Sequence, residues 1–276
     1  MRLLPFVLGS LVASAFCSLA TAEEKTFPVE AHKDITYYEG KDADKERHKL
    51  DVYVPKGCKS CPVLFFIHGG GWRKGSKDRF EAFGHNFAKK GIVVVNTNYR
   101  LTPVVKHPGH IQDVAKAFAW TVKNISKYGG DPDAIFVSGH SAGGHLAALL
   151  ATNEKFLKAE QLSLKHIRGA IPISGVYEIP ERLAVVFGDE ASRKEASPIR
   201  FVSERTPPFL FLYAAKDIPN CDTLSKKMTE LIKEKKGTAQ WLMIPDRDHG
   251  SIVRNIPNDG DPTSKAMLDF IHKHAK

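Results

Sequence analysis

Short apolar segments alternate along this chain with segments whose apolar residues recur at helical spacing. Residues 63–67 and 92–96 are apolar at almost every position, which is typical of strands buried on both faces, and a helical segment at 80–90 separates them. A longer helix follows, with a face formed by Ile111, Val114, Ala115, Phe118, Val122 and Ile125. The alternation predicts an α/β fold with a mostly parallel central sheet and helices on both faces.

The same reading extends over the rest of the chain. Further strands are predicted at 35–38, 50–54, 134–138, 167–173, 209–214 and 240–244, and further helices at 142–151, 224–232 and from Asp261-Pro262 onward. Residues 178–206 lack periodicity and contain several prolines, which indicates an irregular excursion over the sheet. No repeat or linker divides the chain, so residues 23–276 are predicted to form a single domain without a large cap.

Residues 1–22 have the pattern of a secretory signal peptide. Arg2 precedes a mostly apolar stretch that ends at Leu19, and Ala20-Thr21-Ala22 has the small-x-small form of a cleavage site. The alternative is an uncleaved anchor helix, because the apolar run is close to the minimum length for crossing a bilayer. We expect a secreted or periplasmic protein without stable membrane insertion.

The chain is basic, with 40 Lys and Arg against 31 Asp and Glu and a formal net charge of +9. The cations are scattered, and no zinc-ligand array or basic recognition helix accompanies them, so no nucleic-acid partner is expected. With 42% hydrophobic and 26% charged residues, the composition excludes a disordered chain, a collagen-like fibre and a coiled coil. It does not indicate an oligomeric state.

Cys58 and Cys61 form a C-x-x-C pair in a loop before a predicted strand, while Cys221 stands alone in the predicted mature chain. A redox motif is disfavoured because no helix begins after the second cysteine. Two readings stay open from the residues, a local disulfide formed in an oxidising compartment and a pair of free thiols.

The segment Gly139-His140-Ser141-Ala142-Gly143 lies where a predicted strand meets a predicted helix. A serine at such a sharp turn has a strained backbone, and side chains two positions before and after it would collide, so glycines are needed there. The serine oxygen then projects above the carboxyl edge of the sheet. This context predicts that Ser141 is a nucleophile.

His68-Gly69-Gly70-Gly71-Trp72 follows the buried strand at 63–67 directly. Uncovered glycine amides are suited to donate to an oxyanion, so the amides of Gly70, Gly71 and Ala142 are predicted to form the oxyanion hole. His68 is expected to shape this loop through hydrogen bonds. Trp72 is expected to bind substrate by walling the acyl side.

A serine nucleophile needs a base, and the base needs an orienting carboxylate. His249 lies just after the last strand and is predicted to be the base, whereas His140 and His145 are expected only to pack or to lie at the surface. Asp217 follows the strand at 209–214 and is predicted to be the acid. The rival acids are Asp222, which is expected to cap a helix, and Asp246 and Asp248, which are too close to the histidine in sequence to fold back onto its ring.

The chain order Ser, Asp, His is that of α/β-hydrolases. From about residue 50 to 249 the sequence resembles this superfamily, and within it the H-G-G-G branch of carboxylesterases related to hormone-sensitive lipase and to feruloyl and acetylxylan esterases. Supporting motifs are Leu50-Asp51-Val52-Tyr53, Asn98-Tyr99-Arg100-Leu101 and Gly129-Gly130-Asp131-Pro132. The stretch before them is too short for the helical cap of the lipase-like enzymes.

The resemblance implies a secreted serine carboxylesterase that acts on short-chain acyl, sugar or aryl esters. Its partner would be a small-molecule or carbohydrate ester, and it would need no metal or organic cofactor. An arylformamidase-like amidase and a secreted peptidase are alternatives with the same fold and catalytic residues. A non-catalytic binding protein with this fold is a further alternative, although such proteins generally lose the serine or the histidine.

Overall fold

The computed structural model describes residues 26–275, so the predicted signal peptide lies outside the described residues. The strands are β1 (Val29–Thr36), β2 (Lys49–Pro55), β3 (Cys61–Ile67), β4 (Val93–Thr97), β5 (Gly130–His140), β6 (Gly169–Ile173), β7 (Phe209–Lys216) and β8 (Ala239–Asp248). They form an eight-stranded sheet in the order β1-β2-β4-β3-β5-β6-β7-β8. Only the β1–β2 and β2–β4 pairings are antiparallel. The prediction of a mostly parallel sheet is confirmed.

The helices cover both faces of this sheet. They are α1 (Glu81–Lys89), α2 (Gly109–Asn124), α3 (Ala142–Leu150), α4 (Glu154–Ala159), α5 (Ala184–Phe187), α6 (Glu190–Glu195), α7 (Cys221–Glu234), α8 (Ser251–Arg254) and α9 (Pro262–His274). One buried cluster joins α2, α3 and α7 to one face of the sheet, and a second joins α1, α8 and α9 to the other. Val63, Phe65 and Ile67 of β3 belong to the first cluster, and Leu64 and Phe66 belong to the second. This alternation is why β3 is apolar throughout.

The register of the parallel strands brings the chemically interesting loops together. Ile67 at the end of β3 pairs with Gly139 near the end of β5, and Lys216 at the end of β7 pairs with Asp248 at the end of β8. The loops that follow these strands therefore leave the sheet at its carboxyl edge, side by side.

Several boundaries differ from the predictions because short elements carry no readable period. Helices α4 and α8 were not predicted, and they contain only six and four residues. The excursion at 178–206 includes the short helices α5 and α6. Asp222 does not cap α7, which begins after Asn220 and holds Asp222 in its first turn. Within the described residues, no helix combines the length and the apolar character needed to cross a membrane.

Cys58 and Cys61 are joined by a disulfide, with their Cα atoms 6.0 Å apart. The open choice between a bridge and free thiols is thereby decided in favour of the bridge. The bridge lies at the start of β3, on the edge of the sheet opposite to the serine turn, while Cys221 is a buried free cysteine.

Candidate active site

Ser141 occupies the turn between β5 and α3 with a left-handed backbone, φ 55° and ψ −114°. Its amide donates to the carbonyl of Ile173 at 2.8 Å, which fixes the turn against β6. A Cβ on Gly139 would lie 2.5 Å from the carbonyl group of Gly143, and one on Gly143 would lie 2.0 Å from the carbonyl oxygen of Ile67. The turn therefore requires both glycines, for the steric reason inferred from the sequence.

The structure brings Ser141, His249 and Asp217 together. The Oγ of Ser141 lies 2.9 Å from Nε2 of His249, and Nδ1 of His249 lies 2.6 Å from Oδ1 of Asp217. The carboxylate accepts the hydrogen on Nδ1, so Nε2 is left free to accept the serine hydroxyl proton. The Asp217 side chain is 5% exposed and that of His249 is 26% exposed.

The Asp217 carboxylate is also held by a hydroxyl at the end of β6 and by two backbone amides at the end of its own strand, β7. The hydroxyl of Ser174 donates to Oδ2 at 2.5 Å, and the amides of Ala214 and Ile218 donate to the carboxylate at 2.9 and 2.8 Å. Burial acts to raise the pKa of Asp217, but the hydrogen bonds from His249, Ser174 and the amides prevail and lower it to about 2. The group that faces His249 is therefore an ionised carboxylate.

Ser174 was missed by the sequence reasoning. It is completely buried and directly follows β6, the strand that pairs with β5. The sequence could have indicated it, because Ser174 is a polar residue at the carboxyl end of a predicted strand. Such a residue lies at the same edge of the sheet as the serine turn.

The rival acids do not contact His249. Asp248 accepts from the amides of Gly250 and Ser251, and Asp222 lies on α7 at 3.9 Å from Lys226. Asp246 is exposed, and no hydrogen bond joins it to the histidine ring within residues 26–275.

His140 has a role that the sequence reasoning did not assign. Its Nε2–H donates to the carbonyl oxygen of His249 at 2.6 Å, and its ring is only 8% exposed. Burial, with a further contribution from the nearby His249, lowers the pKa of His140 to about 4, so the ring is neutral. His140 is a positioning residue that ties the histidine loop to the serine turn.

The glycine loop after β3 lies next to Ser141. Gly70 and Gly71 have φ values of 124° and 63°, and a Cβ on Gly70 would lie 1.9 Å from the carbonyl oxygen of Lys74. In the described part of the chain, the amides of Gly70, Gly71 and Ala142 donate to no protein group. Ala142 is the first residue of α3, where an amide has no partner inside the helix. Uncommitted amides beside a serine can stabilise an oxyanion.

His68 lies at the base of this loop. Its Nδ1–H donates to the carbonyl oxygen of Gly69 at 2.8 Å, and its ring stacks on Tyr99 with centroids 4.4 Å apart. Burial lowers the pKa of His68 to about 4, so its ring supports the loop as a neutral group.

Comparison with known proteins relates this arrangement to esterases. A family model named BD-FAE matches residues 50–176. Esterase LipC of Mycobacterium tuberculosis is 31% identical over 255 residues, which are 83% of this chain and 63% of LipC. Versiconal hemiacetal acetate esterase of Dothistroma septosporum is 32% identical over 203 residues, 72% of this chain and 59% of that enzyme. The chain spans about three fifths of the length of these curated relatives.

A solved structure described as a truncated form of a carbohydrate esterase from gut microbiota matches with a TM-score of 0.76. The two are 22% identical, and the match covers 92% of this chain and 98% of the other. The chain has the α/β-hydrolase fold, and the relatives to which its sequence is similar are named as esterases.

Trp72 of this α/β-hydrolase is not where the sequence reasoning placed it. Its ring is 4% exposed, and its Nε1–H donates to Nδ1 of His145 at 3.2 Å. His145 in turn donates from Nε2 to the carbonyl of Ala196 at 2.7 Å, and Phe187 packs edge-on against the indole. The expectation that Trp72 walls the substrate pocket is therefore corrected. A left-handed backbone at Trp72, with φ 59°, turns the ring inward to anchor the loop.

Replacing Trp72 with phenylalanine is expected to destabilise the protein by about 1–3 kcal/mol, because it leaves Nδ1 of the buried His145 without a donor. Trp120→Phe is the matched control, since its indole N–H has no partner in residues 26–275. Guanidinium unfolding of both variants measures the difference. Equal losses of stability would show that the hydrogen bond to His145 is unimportant.

A cavity of about 570 Å³ opens at Ser141. It is lined by Gly70, Gly71, Arg73, Lys74, His140, Ser141 and His249. A larger cavity of about 720 Å³ lies at the opposite edge of the sheet, beside Arg168 and Pro208 near the starts of β6 and β7. None of the groups in the hydrogen-bonded chain reaches that cavity, so the chemistry is assigned to the smaller one.

Asp217, Cys221 and His249 place potential metal-ligating atoms within 4.8 Å of one another. Burial, together with the Asp217 carboxylate, raises the pKa of the Cys221 thiol well above its ordinary value. The thiol therefore stays protonated, and the carboxylate is already committed to His249, Ser174 and backbone amides. These residues do not fit a metal centre.

Proposed function

We propose that this protein is a serine esterase that hydrolyses carboxylic esters through an acyl-enzyme. The observation that carries the proposal is the hydrogen-bonded chain from Asp217 through His249 to Ser141. It ends beside amides that have no acceptor among residues 26–275. Such a chain activates a serine oxygen for attack on an acyl carbonyl.

In the first half of the reaction, Ser141 Oγ attacks the ester carbonyl carbon while Nε2 of His249 takes the hydroxyl proton. Asp217 stabilises the imidazolium that forms. The carbonyl oxygen becomes an oxyanion, which the amides of Gly70, Gly71 and Ala142 stabilise. When the tetrahedral intermediate collapses, the bond to the alcohol oxygen breaks, and His249 returns its proton to the leaving alcohol.

In the second half, water attacks the acyl-enzyme with His249 again acting as base. The bond to Ser141 breaks, the serine recovers its proton, and the carboxylic acid leaves. His140 and Ser174 contribute by positioning, since they hold the His249 backbone and the Asp217 carboxylate in place.

The lining of the cavity favours short acyl groups. Its side chains are those of Ser141, Arg73, Lys74, His140 and His249, and no aliphatic side chain is among them. The helices α5 and α6 of the excursion contain only four and six residues and form no enclosing cap. The names of the acetate esterase and the carbohydrate esterase reported above support the same substrate class. We propose short-chain esters of sugar or aryl alcohols.

On 4-nitrophenyl esters, kcat/KM is expected to be higher for acetyl to butyryl than for decanoyl esters. Burial in an apolar pocket is worth about 0.8 kcal/mol per methylene, and no leucine, isoleucine, valine or phenylalanine lines this cavity to bury a longer chain. A panel from acetyl to palmitoyl measures the dependence, with 4-nitroacetanilide included to detect amidase activity. A palmitoyl ester turned over faster than the butyryl ester, with activation at an oil–water interface, would refute the assignment.

A further inference from the structure

The turn that follows the oxyanion glycines carries two cations to the mouth of the cavity. The amides of Arg73 and Lys74 both donate to the carbonyl of Gly70, at 3.2 and 3.1 Å. Trp72 points into the protein from the same turn, and its carbonyl accepts from the amide of Thr102 at 2.9 Å. Trp72 is buried, whereas the two residues that follow it, Arg73 and Lys74, are exposed and line the cavity at Ser141.

Neither cation has an acidic partner in the described residues. Two buried or half-buried cations near this turn are paired, in contrast. Lys77, only three positions beyond Lys74, lies within 2.9 Å of the carboxylates of Asp34, Asp51 and Asp78. Arg100 pairs with Asp113 at 2.8 Å. Arg73 and Lys74 therefore combine two properties: they have no acidic partner, and they line the cavity at Ser141.

The cavity itself offers no acid to neutralise them. No Asp or Glu is among its lining residues. The nearest acids in the site are committed elsewhere, Asp217 to His249 and Asp248 to the amides of Gly250 and Ser251. Two unpaired cations beside a nucleophile create a local positive potential, which attracts anionic substrates and opposes cationic ones.

We propose that Arg73 and Lys74 form an anion subsite, and that the preferred substrates are esters that carry a carboxylate near the scissile bond. This inference rests on the proposed esterase function and narrows its substrate class. The arginine fork can bind a carboxylate through two N–H groups, and the lysine adds a mobile point charge. The carboxylate can belong to the alcohol or to the acyl group, and the two cases are separated by experiment.

The test compares anionic and neutral esters of matched shape on the full mature chain. For charge on the alcohol, the pair is 4-acetoxybenzoate and 4-acetoxybenzamide. For charge on the acyl group, the pair is monomethyl glutarate and methyl glutaramate. Within each pair, the ratio of kcat/KM values for the anionic and the neutral ester is measured, because this ratio cancels changes that affect both substrates.

In R73E/K74E the ratio is expected to fall about tenfold in at least one pair, because two attractive contacts of exposed charges become repulsive. K56E/K59E is the charge-matched control, since Lys56 and Lys59 are exposed at the opposite edge of the sheet, and its ratio is expected to equal that of wild type. Raising the ionic strength from 0.05 to 0.5 M should reduce the wild-type ratio as well, because salt screens exposed charges.

An unchanged ratio in both pairs for R73E/K74E would overturn the proposal. So would an equal fall in K56E/K59E, which would assign the effect to net charge alone. If the double reversal unfolds the loop, as shown by a lowered Tm, R73Q/K74Q replaces it and a smaller fall of the ratio is required. Failure of the esterase function is distinguishable, because wild type would then turn over neither member of either pair.

Discussion

Replacing Ser141 with alanine is expected to lower ester turnover by about 10⁶-fold while the protein stays folded. The variant lacks the oxygen that attacks the carbonyl, and His249 then has no hydroxyl proton to accept. The residual rate would come from the oxyanion donors acting on water as nucleophile. Steady-state turnover of 4-nitrophenyl butyrate measures the loss, and labelling by a fluorophosphonate probe, followed by peptide mapping, locates the reactive serine.

Ser138→Ala is the matched control for this change. It lies on the same strand, and its buried hydroxyl donates to the carbonyl of Ile171 at 2.6 Å. Its loss should cost stability but leave turnover within a few-fold of wild type and probe labelling intact. Normal turnover by Ser141→Ala, or labelling at another serine, would refute the proposed nucleophile.

Replacing Asp217 with asparagine is expected to lower kcat by about 10⁴-fold, with a small effect on KM. An asparagine amide can donate to Nδ1 of His249, which would move the ring hydrogen to Nε2 and point it at Ser141. The base would then be in the wrong tautomer. Asp248→Asn is the control, because Asp248 accepts only from its own loop and does not contact the ring.

Asp217→Asn is also expected to change how the free energy of unfolding depends on pH in acid. The pKa of Asp217 in the folded protein is about 2, below its ordinary value of 3.8, so its hydrogen bonds stabilise the fold above pH 4 and are lost as the pH falls towards 2. Asp217→Asn has no carboxylate to titrate at this position, so its free energy of unfolding should depend less on pH over that range. A near-normal kcat in Asp217→Asn, together with a crippled Asp248→Asn, would transfer the role to the histidine loop.

The serine turn shows which features could be predicted from the sequence. Its requirement for Gly139 and Gly143 is steric and acts between residues a few positions apart, so the pattern carries the information locally. Asp217 and His249 were predicted for a topological reason, since each follows a strand whose carboxyl end lies at the edge of the serine turn. Because these strands are parallel, their carboxyl ends lie at one edge of the sheet, so both residues were expected to lie close to Ser141.

Other parts of the site could not be predicted because they depend on partners far away along the chain. His140 was expected only to pack or to lie at the surface, yet it donates to the carbonyl of His249, which is 109 positions away. Ser174 enters the site only because β6 lies between β5 and β7. The direction of the Trp72 ring follows from one left-handed residue in an irregular loop, where no period of two or 3.6 applies.

The sequence alone determined the α/β class, the mostly parallel sheet, the serine turn and the identity of three residues at its carboxyl edge, because periodicity, glycine sterics and strand order are written locally. Only the tertiary structure decided which polar groups are satisfied. The indole N–H of Trp72 donates to His145, whereas Arg73 and Lys74, beside Ser141, have no acidic partner in the part of the chain that the structure describes. Whether a charged or hydrogen-bonding group finds a partner depends on the three-dimensional arrangement of the chain. For these residues, that arrangement is made by elements far apart in the sequence.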